Sequence, residues 1–237
     1  FVTGGDMKTI GLIGGLSWQS SLEYYRIINE AVREKLGGLH SARIVMHSFD
    51  LAEVAALQQG GDWESVARLI ISAALKLEEA GADLLVICTN TMHRVADEVQ
   101  RDIKIPLLHI ADATAEEVKA AGLKKVGLLG TKFTMEEDFC KGRFVRKHGL
   151  EVIIPDEDER EIVNRTVYEE LCVGRVVPSS RQKFRSVMEN LVAKGAEGII
   201  LGCTEIYLLV EKQDVQVPVF DTTRIHAESA ARFAMGQ

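Results

Sequence analysis

The sequence predicts an α/β fold: two pseudo-symmetric three-layer α/β domains with mainly parallel sheets, produced by an internal duplication. Three observations carry this reading. Short apolar, β-branched runs alternate with stretches of helical periodicity, an order that builds parallel sheets covered by helices. The alternation is written twice, in the same order in both halves. The length of 237 residues suits two half-size domains as well as one large one.

In chain order, the first half offers a strand at 9–13, a helix over 18–36, a strand at 44–47, a helix over 62–80 and a strand at 84–88. A loop is expected over 50–62, with Gly60-Gly61 as its mobile part and Trp63 as its anchored end. The second half offers a strand at 125–129, a helix over 134–148, a strand at 151–154, two helices within 157–194 and a strand at 198–201. A last helix, about 222–234, is expected to pack back on the first domain. The halves also match residue by residue. Thr9-Ile10-Gly11-Leu12-Ile13-Gly14 aligns with Lys125-Val126-Gly127-Leu128-Leu129-Gly130 at an offset of 116. Gly81-Ala82-Asp83 aligns with Gly195-Ala196-Glu197 at 114, and Ile105-Pro106 with Val217-Pro218 at 112. Residues 7–112 with 222–237 are expected to form one domain and 113–221 the other. Residues 1–6, ahead of Met7-Lys8, read as an appended leader and are set aside.

Composition removes several classes of function. Apolar residues at 46% and charged residues at 27% belong to a folded globular chain and exclude disorder, collagen and coiled coil. The longest apolar runs fall far short of the roughly 20 residues that cross a bilayer, so no membrane is expected. With 28 Lys and Arg against 35 Asp and Glu, the net charge of −7 lacks the basic footprint of a nucleic-acid binder and favours a small-molecule partner. The cysteines at 88, 140, 172 and 203 form no CxxC pair, and no signal-peptide pattern is present, which points to a reducing cytoplasm. The six histidines show no ligand spacing, so no metal is expected.

Open α/β sheets take ligands at the carboxyl ends of their strands, and two such domains facing each other would make the cleft between them the site. The repeat sets Thr89 opposite Cys203, Asn90 opposite Thr204 and Thr91 opposite Glu205. Thr89 and Cys203 each follow a strand and precede a helix start, where amide N–H groups lower a thiol pKa, so Cys203 is expected as a thiolate. A free cysteine is equally a small buried hydrophobe; the following Thr204-Glu205, able to cap a helix, tilts Cys203 toward function. Cys88 lies one residue before the strand end, and alternation turns it into the core. The turns at Gly14-Gly15 and Gly130-Thr131 feed helix starts suited to an anion such as a carboxylate. They fit neither GxxxxGK[ST] nor GxGxxG. Ser17, Asn90, Thr91, Thr131, Thr134 and Thr204 each read as N-caps alone and as a carboxylate-sized polar pocket together. His93 reads as a capping or core-edge histidine.

Three motifs, Gly-Leu-Ile-Gly-Gly-Leu-Ser-Trp at 11–18, Thr-Asn-Thr-Met-His at 89–93 and Leu-Gly-Cys-Thr-Glu-Ile at 201–206, resemble the aspartate/glutamate racemase superfamily, nearest to its L-aspartate/glutamate-specific members. The resemblance implies two pseudo-symmetric α/β domains, no cofactor, a homodimer, and two opposed cysteines acting as acid and base. Cys203 occupies the second cysteine position and Thr89 the first. Asn90 and Thr91 match the pair that binds the α-carboxylate, and Thr204 and the Thr131 loop match other substrate contacts, with Glu205 counted beside them. Two departures stand out: the missing first thiol, and Cys172, four residues after Tyr168, where the family carries a lysine for the second carboxylate. Gln58, in the loop after Asp50, and the Leu16-Ser17 turn are the candidates to replace it.

The implied activity interconverts L- and D-aspartate or glutamate by proton transfer at Cα. The Cys203 thiolate takes the α-proton of the L-enantiomer, and Thr89, or a water it holds, protonates the other face. The alternatives are a single-cysteine decarboxylase resembling arylmalonate decarboxylases, and a non-catalytic amino-acid-binding protein.

Overall fold

The structure, a computed structural model, describes residues 7–237; residues 1–6, expected to be an appended leader, lie outside the described residues. The chain divides into two compact units, one formed by residues up to 109 with 226–237, the other by 110–225.

The first unit holds strands β1 (Thr9–Gly14), β2 (Arg43–Ser48), β3 (Leu84–Ile87) and β4 (Leu107–Leu108), and helices α1 (Trp18–Leu36), α2 (Leu51–Gln59), α3 (Trp63–Glu79) and α4 (Ala96–Asp102). Its sheet is parallel throughout, in the order β2-β1-β3-β4. Strand alternation splits the core between the two sheet faces. Ile13, Leu85 and Ile87 pack with Val66, Ile70 and Ala74 of α3, while Ile10, Leu12, Leu84 and Val86 pack with Tyr24 and Ile28 of α1. Each fully buried Val, Leu or Ile among them contributes about 1.5–3 kcal/mol. Ala227, Ala230, Ala231 and Ala234 of α10 (Thr222–Ala234) join the α1 face, so the last helix does pack on the first unit.

The second unit repeats the plan with β5 (Lys125–Gly130), β6 (Glu151–Ile153), β7 (Gly198–Gly202) and β8 (Val219–Asp221), ordered β6-β5-β7-β8 and parallel. Its helices are α5 (Ile110–Ala120), α6 (Lys132–Glu136), α7 (Asp138–His148), α8 (Glu157–Glu169) and α9 (Pro178–Ala193). Leu129, Ile199 and Leu201 face α8 and α9, while Val126, Leu128 and Ile200 face α5 and α7. The aligned blocks are equivalent down to single hydrogen bonds. Asp83 accepts from the Thr9 amide at 2.7 Å and Glu197 from the Lys125 amide at 3.0 Å, so in each half the carboxylate opening one strand ties down the start of its neighbour.

Two local expectations are corrected. The 50–62 stretch is not a loop: Asp50 accepts from the Ala52 amide and caps α2, which carries Gln58. Only Val54 of that helix is fully buried, so no apolar stripe announced it. The helix expected over 134–148 is two helices. Thr131 caps α6, Glu137 is extended at φ −81° and ψ 157°, and α7 restarts at Asp138, whose carboxylate suits a helix N-terminus.

Among the described residues no helix is long and apolar enough to cross a membrane, and no group of three or more His, Cys, Asp or Glu side chains is arranged to hold a metal ion.

Candidate active site

In the second unit the ends of β5 and β7 are pressed together. Gly130 pairs with Gly202 in register, and a Cβ on Gly130 would stand 2.8 Å from the Gly202 carbonyl. Thr134 covers both glycines, its side chain 3.1 Å from where either Cβ would be. Thr131 and Cys203, the next residues along, are thereby brought side by side. Thr131 caps α6 by accepting from the Thr134 amide at 3.4 Å, and the two hydroxyls are 3.3 Å apart.

Cys203 is 8% exposed at the edge of the core. Its Sγ–H donates to Glu205 Oε2 at 3.1 Å, and the Thr204 hydroxyl donates to the same oxygen at 2.7 Å. Burial, then the Glu205 charge and then Cys172, push the Cys203 thiol well above its ordinary range. The expected thiolate is therefore corrected: Cys203 rests as a protonated thiol. The cause is local. The backbone beyond β7 winds into a short 3-10 turn at Ile206–Leu208 instead of an α-helix, and Glu205 makes no capping bond to it. The Glu205 amide donates to the sulfur and favours a thiolate, but burial and the carboxylate two residues on outweigh it.

Tyr168 and Cys172 belong to this neighbourhood, a grouping the sequence offered only as the place of a missing lysine. Burial, and beyond it the neighbouring Cys203, Cys172 and Glu205, push Tyr168 up to about 12. Burial and then Glu205 push Cys172 up to about 12. The loop beyond the site is clamped from α9: Arg181 grips buried Asp214 through Nε at 2.9 Å and Nη2 at 3.1 Å, and Glu211 through Nη1 at 2.8 Å.

In the first unit Thr89, Asn90 and Thr91 follow β3 as one turn, with Asn90 and Thr91 buried. This strand end too runs into a 3-10 turn, Thr91–Val95, and the Asn90 side chain makes no capping bond to it. The Thr89 amide donates to the Ile87 carbonyl at 2.9 Å, and its own carbonyl lies 2.8 Å from His93 Nδ1. Cys88 is fully buried with Leu84 and Val86, and burial raises its pKa far out of reach of chemistry. At the end of β1, Ser17 caps α1 and Leu16 is buried against the α3 face. The Gly15 amide, expected to face an anion, is turned back onto Ser21 Oγ at 2.8 Å, and that hydroxyl donates in turn to the Ser17 carbonyl at 3.1 Å. Ser21 was not singled out in the sequence, where it reads as an ordinary helical serine.

The profile of the Asp/Glu/hydantoin racemase family matches residues 13–230, which include both strand ends and every candidate residue. The chain belongs to the Asp/Glu/hydantoin racemase family. A broad specificity amino-acid racemase of Bacillus subtilis is 26% identical over 171 residues, 71% of this chain and 72% of its own length. Among solved structures, a Yersinia pestis protein described as a candidate Asp/Glu racemase is 55% identical with a TM-score of 0.92, over 97% of this chain and all of its own. An aspartate racemase homologue from Pyrococcus horikoshii is 39% identical with a TM-score of 0.85, over 97% of this chain and 100% of its own. Family and relatives support an amino-acid racemase. Within this racemase-family chain, the Cys203 thiol meets a proton acceptor, Glu205 Oε2, at 3.1 Å.

Proposed function

We propose that the chain racemises acidic amino acids, aspartate or glutamate, at Cα without a resident cofactor, with Cys203 as the base for the α-proton of the L-enantiomer. The observation that carries this reading is the Cys203–Glu205 pair, a buried thiol at a strand end whose proton points at a carboxylate oxygen 3.1 Å away. The aspartate racemase homologue at 39% identity supports the acidic substrate, and the broad specificity racemase supports the reaction.

The proposed cycle starts from thiol and carboxylate. The thiol proton passes to Glu205, the thiolate takes the α-proton, and the S–H bond re-forms. The electron pair left at Cα spreads into the α-carboxylate, where hydrogen-bond donors stabilise it. Thr89, or a water it holds, is the proposed proton donor to the opposite face, recharged from solvent, and Glu205 releases to solvent the proton it took from the thiol. Asn90, Thr91, Thr131 and Thr204 are the proposed α-carboxylate ligands, and Gln58 and the Leu16-Ser17 turn the proposed side-chain contacts.

The proposal includes a homodimer in a reducing cytoplasm. Exposed Trp18, Leu22 and Tyr25, spaced along one face of α1, support the first, and free cysteines at 88, 140, 172 and 203 support the second.

The test incubates the protein in D₂O with each enantiomer of aspartate and glutamate, following α-proton loss by NMR and handedness by chiral chromatography. Exchange with inversion that disappears in Cys203→Ala supports the reading. Retention of every α-proton, with CO₂ released from an arylmalonate, replaces it by decarboxylation.

A further inference from the structure

Behind the Thr89 turn, three histidine rings and a tyrosine are packed into one buried cluster. His93, His109, His226 and Tyr24 are all buried. Ring centroids are 4.6 Å apart for His93 and His109, 5.5 Å for His93 and His226, and 5.6 Å for Tyr24 and His226. The rings come from α1, the turn after β3, the end of β4 and α10, and nothing in the proposed proton transfer uses them.

Their hydrogen bonds fix which nitrogen carries the proton. A backbone carbonyl only accepts, so His226 Nε2–H donates to the Leu108 carbonyl at 2.8 Å. Burial first, and then neighbouring His93, push His226 down to about 3, so the ring is neutral and its Nδ1 carries a lone pair. That lone pair accepts from the Tyr24 hydroxyl at 2.8 Å. By the same logic His93 Nδ1–H donates to the Thr89 carbonyl at 2.8 Å. His226 is thus locked at both nitrogens, and its ring packs on His93, whose N–H is aimed at Thr89.

We propose that His93 is the positioning residue for Thr89: its Nδ1–H fixes the Thr89 carbonyl, and with it the direction of the threonine side chain, while His226 backs the His93 ring. The turn needs such a device. With the Thr89 amide committed to Ile87, the carbonyl is the remaining backbone handle, and a displacement of about 1 Å at a reacting group costs on the order of a hundredfold in rate. The equivalent strand end is held differently, by Glu205 accepting from Cys203 and Thr204. The kinetic half of this proposal rests on the racemase reading; the structural half does not.

The experiment compares wild type with His93→Leu, which removes the donor, and His93→Asn, which restores an N–H near the place of Nδ1. Two readouts are taken on the whole chain: the NMR methyl and carbonyl signals of Thr89, and kcat and KM for L-aspartate and L-glutamate. His93→Leu is expected to move the Thr89 signals and lower kcat about ten- to a hundredfold with KM changed less than about threefold. His93→Asn is expected to return the signals toward wild type and recover most of kcat. Thr89 signals unmoved in His93→Leu, or no recovery in His93→Asn, overturn the proposal. If His93→Leu does not fold, the wild-type imidazole ¹⁵N signals decide: a proton on His93 Nδ1 is required, and its absence overturns the assignment. A wild-type chain that exchanges no α-proton overturns the racemase reading, and the Thr89 signals then judge His93 on their own.

Discussion

Cys203 Sγ lies 3.1 Å from Glu205 Oε2 and donates its proton there, so the thiol faces a charge unfavourable to a thiolate. This separates two properties that usually rise together, reactivity toward an electrophile and competence in turnover. Glu205→Gln removes the charge that raises the thiol pKa, so the pH midpoint for iodoacetamide labelling of Cys203, read peptide by peptide in a mass spectrometer, is expected to move down. Racemisation is expected to fall about ten- to a hundredfold, because the acceptor for the thiol proton is gone. A labelling midpoint that rises, or turnover that improves alongside labelling, would show that Glu205 does not take the proton.

Thr89 offers a hydroxyl where a two-thiol site would offer a second sulfur, and a hydroxyl is a poor base. Thr89→Cys is expected to raise kcat from the D-enantiomer by about tenfold or more, in line with the usual gain from a positioned acid-base group. The enantiomers have equal free energy in water, so kcat/KM in the two directions must stay equal in wild type and variant alike, and any gain in kcat/KM from the D-enantiomer must be matched from the L-enantiomer. Progress curves started from each pure enantiomer test this. Curves that settle away from equal L and D would mean that another reaction consumes the product.

The architecture was legible because it is encoded twice. Gly11 and Gly127, Gly14 and Gly130, and Asp83 and Glu197 repeat at nearly fixed offsets, and the strands they mark came out in the same order in both units. Helix α2 was not legible, because a helix that buries Val54 alone writes no stripe. The state of Cys203 was not legible, because burial and then the carboxylate two residues on decide the thiol, and neither the depth of Cys203 nor the direction of the Glu205 side chain is written in the local sequence. The histidine cluster could not be read at all: Tyr24, His93, His109 and His226 are scattered along the chain, and only the fold brings them into contact.

Gly15 and Gly149 have nearly the same backbone conformation, φ +75° and +70°, but different surroundings. A Cβ at Gly149 meets open space, so Gly149→Ala is expected to cost about 1 kcal/mol, the price of a left-handed non-glycine residue. At Gly15 the Cβ would stand 2.1 Å from the Phe49 carbonyl oxygen and 2.3 Å from its amide nitrogen, both backbone atoms that cannot swing aside. Gly15→Ala is expected to cost about 3 kcal/mol or more, and to disturb the Ser17–Ser21 hydrogen bonds beside the candidate site. Urea midpoints of the two variants compare them directly, and equal losses would mean that the β1–α1 turn has slack the close contacts do not suggest.

His226 supplies a pH signature of the buried cluster. Its folded value is pushed down to about 3, below the ordinary 6.5, so between those two values the unfolded chain holds a proton that the folded chain does not. The contribution of the neutral ring is fully present above about pH 6.5 and is lost as pH falls toward 3. Each pH unit within that window removes about 1.4 kcal/mol, so going from pH 7 to pH 4.5 is expected to cost roughly 3 kcal/mol through this group alone. Carboxylates titrate in the lower part of the same range, so the informative quantity is a difference. The stability loss between pH 7 and pH 5.5, measured by urea unfolding, should be smaller in His226→Gln than in wild type by about 1 kcal/mol, although the variant is less stable at pH 7 for want of the Tyr24 and Leu108 hydrogen bonds. Parallel pH profiles for the two proteins would mean that the folded chain takes up the His226 proton as readily as the unfolded one, and the neutral ring locked between Leu108 and Tyr24 would fall with it.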